Sequence, residues 1–472
     1  MLTQQSDIPY TKGQISGLDQ SLLADPGIQD YAADVDNRMG VGIFRSPRAP
    51  IPLRPALLEA AAHDDLIESA KRVRRLIRGV CGDPGEDGSA SLAHRVNHTP
   101  PGFSLWTEDP SQNRFALHMC RPDFIFSGGI PKLMEINVNS AIGGVPQLAK
   151  LNQIYWSHPS VSDAARSVPM SSLDPGSALS RMLEDIGRVT DVAYPRIALI
   201  GYRSHVDDFG HEIVFSEIIK TLRTNGFPTV YAYPEDLHVR DDGRAYIGNL
   251  RIDIAVRTFV TADAPEAGID LTGLRTVIDE KAALVLSPES AEPYASKRVL
   301  AWLTRNSNEL PSSDRRFIER HIPATYDLGD LDSLPGTTES AKRQWLCSQR
   351  PHLVLKGYQG HSGANVHVGR TTAPKIWEEL VESALSTGRT VAQEFVEPDV
   401  LTLPVYDETE AAPLSRSFKT VFSPLLLGDW CGGILVRQMP DSSGDVVNAY
   451  GGGAANMAFR SSQGDRFSRK SH

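Results

Sequence analysis

Two stretches of the chain gather the residue types that handle phosphates and a metal ion. In L-V-L-K-G-Y-Q-G-H-S-G-A-N-V-H-V-G, residues 353–369, a lysine closes an apolar run and a loop with Gly357, Gly360 and Gly363 follows directly. Glycines let backbone N–H groups converge on phosphate oxygens, and Lys356 supplies a point charge beside them. This is not a Walker loop, because no G-K-[ST] follows and the next run is strand-like. Taken alone, a plain hairpin turn explains the glycines as well. Further on, V-A-Q-E-F-V-E-P, residues 391–398, is an apolar strand that ends in polar residues. Where such a strand crosses between two lobes, backbone groups near Glu394 and Val396 can meet an adenine edge while a side chain holds the ribose.

The second stretch is R-P-D-F-I-F-S-G-G-I-P-K-L-M-E-I-N-V-N-S-A-I-G-G, residues 121–144. Glu135 and Asn137 are two apart on an expected strand, so their side chains leave the same face. With Asp123 across the hairpin, three oxygen donors converge. Magnesium takes hard oxygen ligands, commonly one or two carboxylates plus substrate phosphates, and no His or Cys lies near these three. A solvated hairpin with incidental acids is the plainer alternative. If Glu135 is a metal ligand, Glu135→Ala is expected to abolish turnover and leave the fold intact.

These residues need elements to position them. Apolar side chains at Leu57, Leu58, Ala61, Leu66, Ile67, Ala70, Val73 and Ile77 predict an amphipathic helix over 55–79, broken near His63. Strands are expected at 114–120 and 132–138 around F-S-G-G-I-P. From Pro195, R-I-A-L-I-G-Y, a helix over 211–225 capped by Gly226, and P-T-V-Y-A-Y form a parallel, Rossmann-like unit. A second hairpin is expected over 244–259, a helix over 295–305 and a polar linker around S-N-E-L-P-S-S-D. Strands, a helix over 373–386 and a further strand follow. The expected divisions are 1–190, carrying the helix and the 121–137 hairpin; 191–309, Rossmann-like; 310–460, the lid and substrate-loop region; and 461–472, a disordered tail.

A chain of 472 residues is too long for one core, and 40% hydrophobic with 22% charged residues describes a folded protein. The formal charge of −10, with no long basic block, argues against nucleic acid as the main partner. No apolar run approaches the ~20 residues that span a bilayer, and residues 1–10 have neither a basic nor an apolar leader region. Cys81, Cys120, Cys347 and Cys431 are scattered without a C-x-x-C pair, as reduced thiols in the cytoplasm would be.

The order of Lys356, glycine lid, Gln393 and Glu394, then R-S-F-K-T-V-F, G-G-I-L-V-R-Q and V-V-N-A-Y-G-G-G-A, resembles the nucleotide-binding half of ATP-grasp enzymes. Their magnesium-binding E-x-N hairpin, usually last, is what residues 121–137 look like, placed ahead of the Rossmann-like unit. That order is similar to the permuted ATP-grasp group that includes glutathionylspermidine synthases, whose amidase domain is absent here. The resemblance covers roughly residues 100–460 and implies an α/β (α+β) ATP-grasp fold with permuted segment order and a Rossmann-like pre-ATP-grasp domain. It implies ATP and Mg2+ as cofactors, with Asp123, Glu135 and Asn137 as metal ligands. Arg121 would lie beside the phosphates or an acyl phosphate, Lys356 and Lys297 would hold ATP phosphates, and Gly360 and Gly363 would shape the lid. Gln393, Glu394 and Val396 would hold adenine, and Arg437 would meet the γ-phosphate. Asn448, with Gly451 to Gly453, would cradle the reacting carboxyl, although a glycine-rich turn or, for Lys297, a helix-surface lysine is the plainer alternative.

The implied chemistry is amide or peptide bond formation between a small-molecule carboxylate and an amine through an acyl phosphate, with ADP and phosphate as products. The amine is an amino acid, a peptide, a polyamine or a carrier-bound group. A kinase using the same site, or a non-catalytic ATP-binding regulator, are the alternatives. Arg203 and Arg257 are either holders of a substrate carboxylate or members of structural ion pairs.

Overall fold

The computed structural model describes residues 15–39, 49–86, 88–96, 98, 103–138, 143–203, 211–359, 365–410, 412–444 and 453–461. Three main sheets organise these residues. The largest has nine strands and runs Ile51–Pro52, Val400–Tyr406, Leu414–Leu427, Trp430–Pro440, Ala454–Ser461 and Ala56–Glu59. The hairpin Met119–Ser127 and Ile130–Asn137 branches from it, because Leu414–Leu427 pairs through its first half with Val400–Tyr406 and through its second half with Met119–Ser127. Alternate side chains fill two cores. Leu425, Leu427, Leu435 and Phe459 pack on one face with the helices Val145–Ser157, Pro175–Thr190 and His211–Thr224. On the other, Cys120, Phe124, Phe422 and Ile434 pack against Leu66, Ala70, Val73 and Ile77 of the helix Ala60–Cys81.

The second sheet is parallel, in the order Leu284–Leu286, Ile254–Arg257, Ile197–Ile200, Thr229–Ala232. Its first and third strands in sequence are neighbours, which makes a topological switch point at their carboxyl ends. The third sheet is antiparallel, in the order Thr325–Asp327, Thr390–Glu394, Leu353–Gly357, Val366–Val368, and is backed by the buried Trp377 and Val381 of the helix Pro374–Thr387. Among the described residues no helix is long and apolar enough to cross a membrane.

Several elements differ from the sequence expectations. Residues 56–59 form a strand, parallel to Ala454–Ser461, and the helix then runs unbroken from Ala60 to Cys81 with His63 buried inside it. The first hairpin strand begins at Met119 instead of 114, because Asn113 to His118 are taken up by tight turns. Only residues 245–252 of the expected second hairpin pair as one; after Asp253 the chain enters the parallel sheet. The expected helix over 295–305 starts at Arg298, after a 3-10 segment, and the expected linker carries the helix Ser312–His321. Strands between 400 and 461 belong to the large sheet, so the stretch 310–460 divides between two sheets. Ser461 is a fully buried strand residue, not the start of a tail; 462–472 lie outside the described residues.

Candidate active site

The 119–137 hairpin pairs Arg121 with Asn137 and Asp123 with Glu135. Directly opposed residues share a face, so all four side chains leave the sheet on one side. The register Val421↔Arg437 in the neighbouring pair brings Arg437 to the same side. Asp123 is the hub and is 2% exposed. Its Oδ2 accepts from Arg437 Nη2 and from Asn137 Nδ2, the latter at 3.1 Å, while Arg121 Nε lies 3.6 Å from Oδ1. Ser423, not anticipated from the sequence, lies 3.4 Å from Arg437 Nη2. Its only sequence signal is a hydroxyl inside the apolar run 421–427.

The third sheet and the segment that follows the parallel sheet reach the same place. Lys297 is no helix-surface lysine: it precedes the helix, is 7% exposed, and puts Nζ 3.1 Å from Glu135 Oε2. Its backbone N–H donates to Tyr358 O at 2.9 Å, which ties it to the end of the lid strand Leu353–Gly357. Lys356 Nζ donates to Gln393 Oε1 at 2.6 Å and to Met134 O of the hairpin at 3.4 Å. Four cations thus surround two carboxylates. Although burial opposes its charge, Lys297, Lys356 and Arg437 hold the Glu135 carboxyl down at about 2. Burial pushes Lys356 down to about 8 and Arg121 down to about 10. Arg437 is raised despite its burial, by Asp123 and then Glu135. Like charges packed this closely leave a cationic surface for an anionic ligand.

Asp123, Glu135 and Asn137 bring hard oxygen donors together, and the buried Asp123 Oδ1 accepts no hydrogen bond among the described residues. That orphaned oxygen and the all-oxygen donor set fit a magnesium ion. Glu135 also balances the buried Lys297, so Glu135→Ala is expected to cost stability as well as any metal contact, in contrast to the intact fold expected from the sequence.

The adenine-facing expectation changes in detail. Gln393 is 2% exposed and spends its amide on Lys356 and on Thr325 Oγ1 at 3.2 Å, so it positions the lysine instead of offering a free base contact. The Glu394 N–H donates to Ala324 O at 2.8 Å, and the Phe395 N–H to His352 O at 2.8 Å. The Val396 backbone makes no hydrogen bond to a described residue, and Glu394 and Val396 border a cleft of about 450 Å³. Gly360, Gly363 and Asn448 lie outside the described residues. Arg257, at the switch point, is 1% exposed and is spent on Ser287 O, Phe259 O and Thr261 Oγ1 beside Glu292, so it clamps loops; Arg203 pairs with Glu235 at 3.1 Å.

No family model and no curated protein matches the chain. Among solved structures it is similar to a glutathione synthetase like-effector from Globodera pallida in its apo form, at 13% identity over 93% of this chain and 98% of that chain, with a TM-score of 0.57. A putative gamma-glutamylcysteine synthetase from Methylobacillus flagellatus matches at 11% identity over 85% and 89% of the two chains, with a TM-score of 0.39. D-alanyl-alanine synthetase A from Vibrio cholerae matches at 11% identity over 59% and 72%, with a TM-score of 0.29. The last two are too distant to argue from. The first spans nearly the whole of both chains, and this chain has the α/β ATP-grasp fold, with its E-x-N hairpin ahead of the Rossmann-like sheet.

Proposed function

We propose that the chain is an ATP-dependent carboxylate–amine ligase that forms an amide or peptide bond through an acyl phosphate and releases ADP and phosphate. The observation that carries this reading is the meeting of Lys297, Lys356, Arg121 and Arg437 with Asp123 and Glu135 at the junction of the hairpin and the lid sheet. The likeness to a protein described as glutathione synthetase-like supports it, as does the permuted strand order. The segment order, in this reading, is that of the permuted group that includes glutathionylspermidine synthases.

In this reading Asp123, Glu135 and Asn137 would hold magnesium, which would supply charge compensation on the triphosphate. Gln393 accepts a hydrogen bond from Lys356 Nζ and aims the ammonium at the phosphates. Arg437, anchored on Asp123, offsets charge on the γ-phosphoryl group as it moves to an oxygen of the substrate carboxylate. Arg121, buried beside it, orients that carboxylate. The amine nitrogen then bonds the carbonyl carbon, phosphate leaves with the electrons of the C–O bond, and the nitrogen gives up a proton. The glycine loop with Gly360 and Gly363 is assigned to keeping water from the acyl phosphate. Asn448 is assigned to the reacting carboxyl, and the backbone at Glu394 and Val396 to the adenine edge.

The test is ADP release from pairs of amino acids, peptides and polyamines with magnesium, followed by mass analysis of the product. An amide formed only when both partners are present supports the ligase. A stable phosphorylated product made without amine supports a kinase, and nucleotide binding with no turnover of any pair supports a regulator.

A further inference from the structure

The helix Ala60–Cys81 carries Lys71, Arg72, Arg74, Arg75 and Arg78 in a chain whose formal charge is −10. Four of them, Lys71, Arg74, Arg75 and Arg78, follow the i, i+3, i+4, i+7 spacing of one helix face. They line a cleft of about 500 Å³ together with His118 and Asp429, and Asp429 is the only acid among the described residues lining it. The volume suits a small ligand. The cleft lies on the sheet face covered by this helix, next to Cys120 and Leu426, whereas Arg121, Asp123 and Arg437 leave the opposite face.

The cations are held in place but not shielded. Arg74 donates through Nη1 to Gly428 O and through Nη2 to Asp429 Oδ1 at 2.7 Å, and the Asp429 side chain is 91% exposed. Arg78 Nε donates to Asp83 at 2.8 Å, Lys71 to Glu68 at 2.9 Å, and Arg75 stands 3.5 Å from Asp314, a carboxylate already bound by Arg72. Arg75 and Arg78 keep 66% and 54% of their side chains in solvent. Exposed pairs of this kind are weak and yield to an acceptor with several charged oxygens. The ring of His118 reports the same field: burial pushes its pKa down to about 4, Arg74, Arg78 and Arg114 add to the fall, and Asp429 opposes it. A neutral imidazole is left as a hydrogen-bonding wall beside a cationic face.

We propose that this cleft binds a small anion bearing two or more phosphate groups, separately from the cluster around Asp123. Lys71, Arg74, Arg75 and Arg78 grip the phosphates. Binding here leaves the reaction cleft free and lets an anion report on the molecule from its far face.

The probes are inorganic tripolyphosphate and fructose 1,6-bisphosphate, which separate a continuous phosphate chain from phosphates spaced on a carbon skeleton. Each is titrated calorimetrically into the whole protein, and hydrogen exchange locates the site. The expected result is protection of 71–78 and 117–118 by at least one probe. Affinity read from the concentration dependence of that protection should fall about tenfold or more in Arg75→Glu/Arg78→Glu and by a smaller factor in Arg75→Gln/Arg78→Gln, and Lys356→Ala, which removes a cation of the other cluster, should leave the protection of 71–78 and 117–118 unchanged. The proposal is overturned by no binding of either probe, by protection confined to 353–359 and 391–396, or by equal affinity in the wild type and both paired variants. Because the readout sits on the far face, failure here leaves the ligase reading intact, and the reverse also holds.

Discussion

Lys356 is the cation most sensitive to pH. Burial works against its charge, Glu135 supports it and Lys297 opposes it, and the pKa comes down to about 8. On the proposed function the ammonium meets the triphosphate, and a bound triphosphate keeps it protonated. Nucleotide affinity then follows the protonated fraction of the free protein, which is high below the pKa and falls as pH rises through it. For a group titrating at about 8, the fraction drops about tenfold between pH 7 and pH 9, or about 1.4 kcal/mol of binding. The assay is calorimetric titration of ADP in excess magnesium, where the nucleotide phosphates stay fully ionised, in buffers of different ionisation heats that count the proton taken up. Lys356→Arg keeps its charge throughout and should give a flat profile. Gln393→Glu places a carboxylate where the 2.6 Å amide contact now lies and should move the fall to higher pH. A flat wild-type profile, or a Lys356→Arg profile as steep as the wild type, would refute the assignment of Lys356.

Three more outcomes are expected. Glu135→Gln should lower stability by about 1–3 kcal/mol in urea unfolding, because Lys297 loses its charged partner, and Lys297→Met in the same chain should restore most of it without restoring turnover. The Glu135 carboxyl is held at about 2 against its ordinary 4.5, so its contribution is complete above 4.5 and lost as pH falls towards 2; the variant should lack that acid-side dependence. Gly369→Ala would drive a Cβ into the Arg350 carbonyl, with Leu353 O 3.0 Å away, so hydrogen exchange should show the 353–394 sheet deprotected while the 197–286 sheet is unchanged. Trp377→Ala empties the centre of the lid core, where the ring is fully buried and its Nε1 donates to Leu346 O at 3.1 Å. A loss of about 3–5 kcal/mol in the lid's unfolding transition is expected.

The hairpin at 119–137 was legible in part: Glu135 and Asn137 fall on one face by strand parity, whereas Arg121 and Asp123, beyond the strand expected over 114–120, join that face through the observed register. The parallel unit at 197–232 was legible because strand, helix and strand follow one another locally. What the sequence hid depends on distant partners. Leu57 and Leu58 suit a helix, and only pairing with residues 459 and 460, about four hundred positions on, makes them a strand. Lys297 carries a helix-surface alternative in the sequence because nothing local marks Glu135 as its neighbour, and the contact of Lys356 with Met134 uses a backbone oxygen that residue type does not encode. Gln393 sits on an inner strand of the lid sheet, between Thr325–Asp327 and Leu353–Gly357, and its amide is committed to a lysine, which a strand pattern does not reveal.

The nine-stranded sheet draws on residues 51–59, 119–137, 170–171 and 400–461, while the parallel and lid sheets are each assembled within one continuous stretch of about ninety residues or fewer. During synthesis both units can pair their strands before residue 400 is made, although one face of the parallel sheet shares its core with Leu425, Leu427 and Phe459. The hairpin that carries Asp123 must wait, its edge open, for a strand made some three hundred residues later. The nascent chain therefore exposes an unpaired, apolar strand edge until residues 422–427 are made, and the cluster around Asp123 and Arg437 comes together only after that.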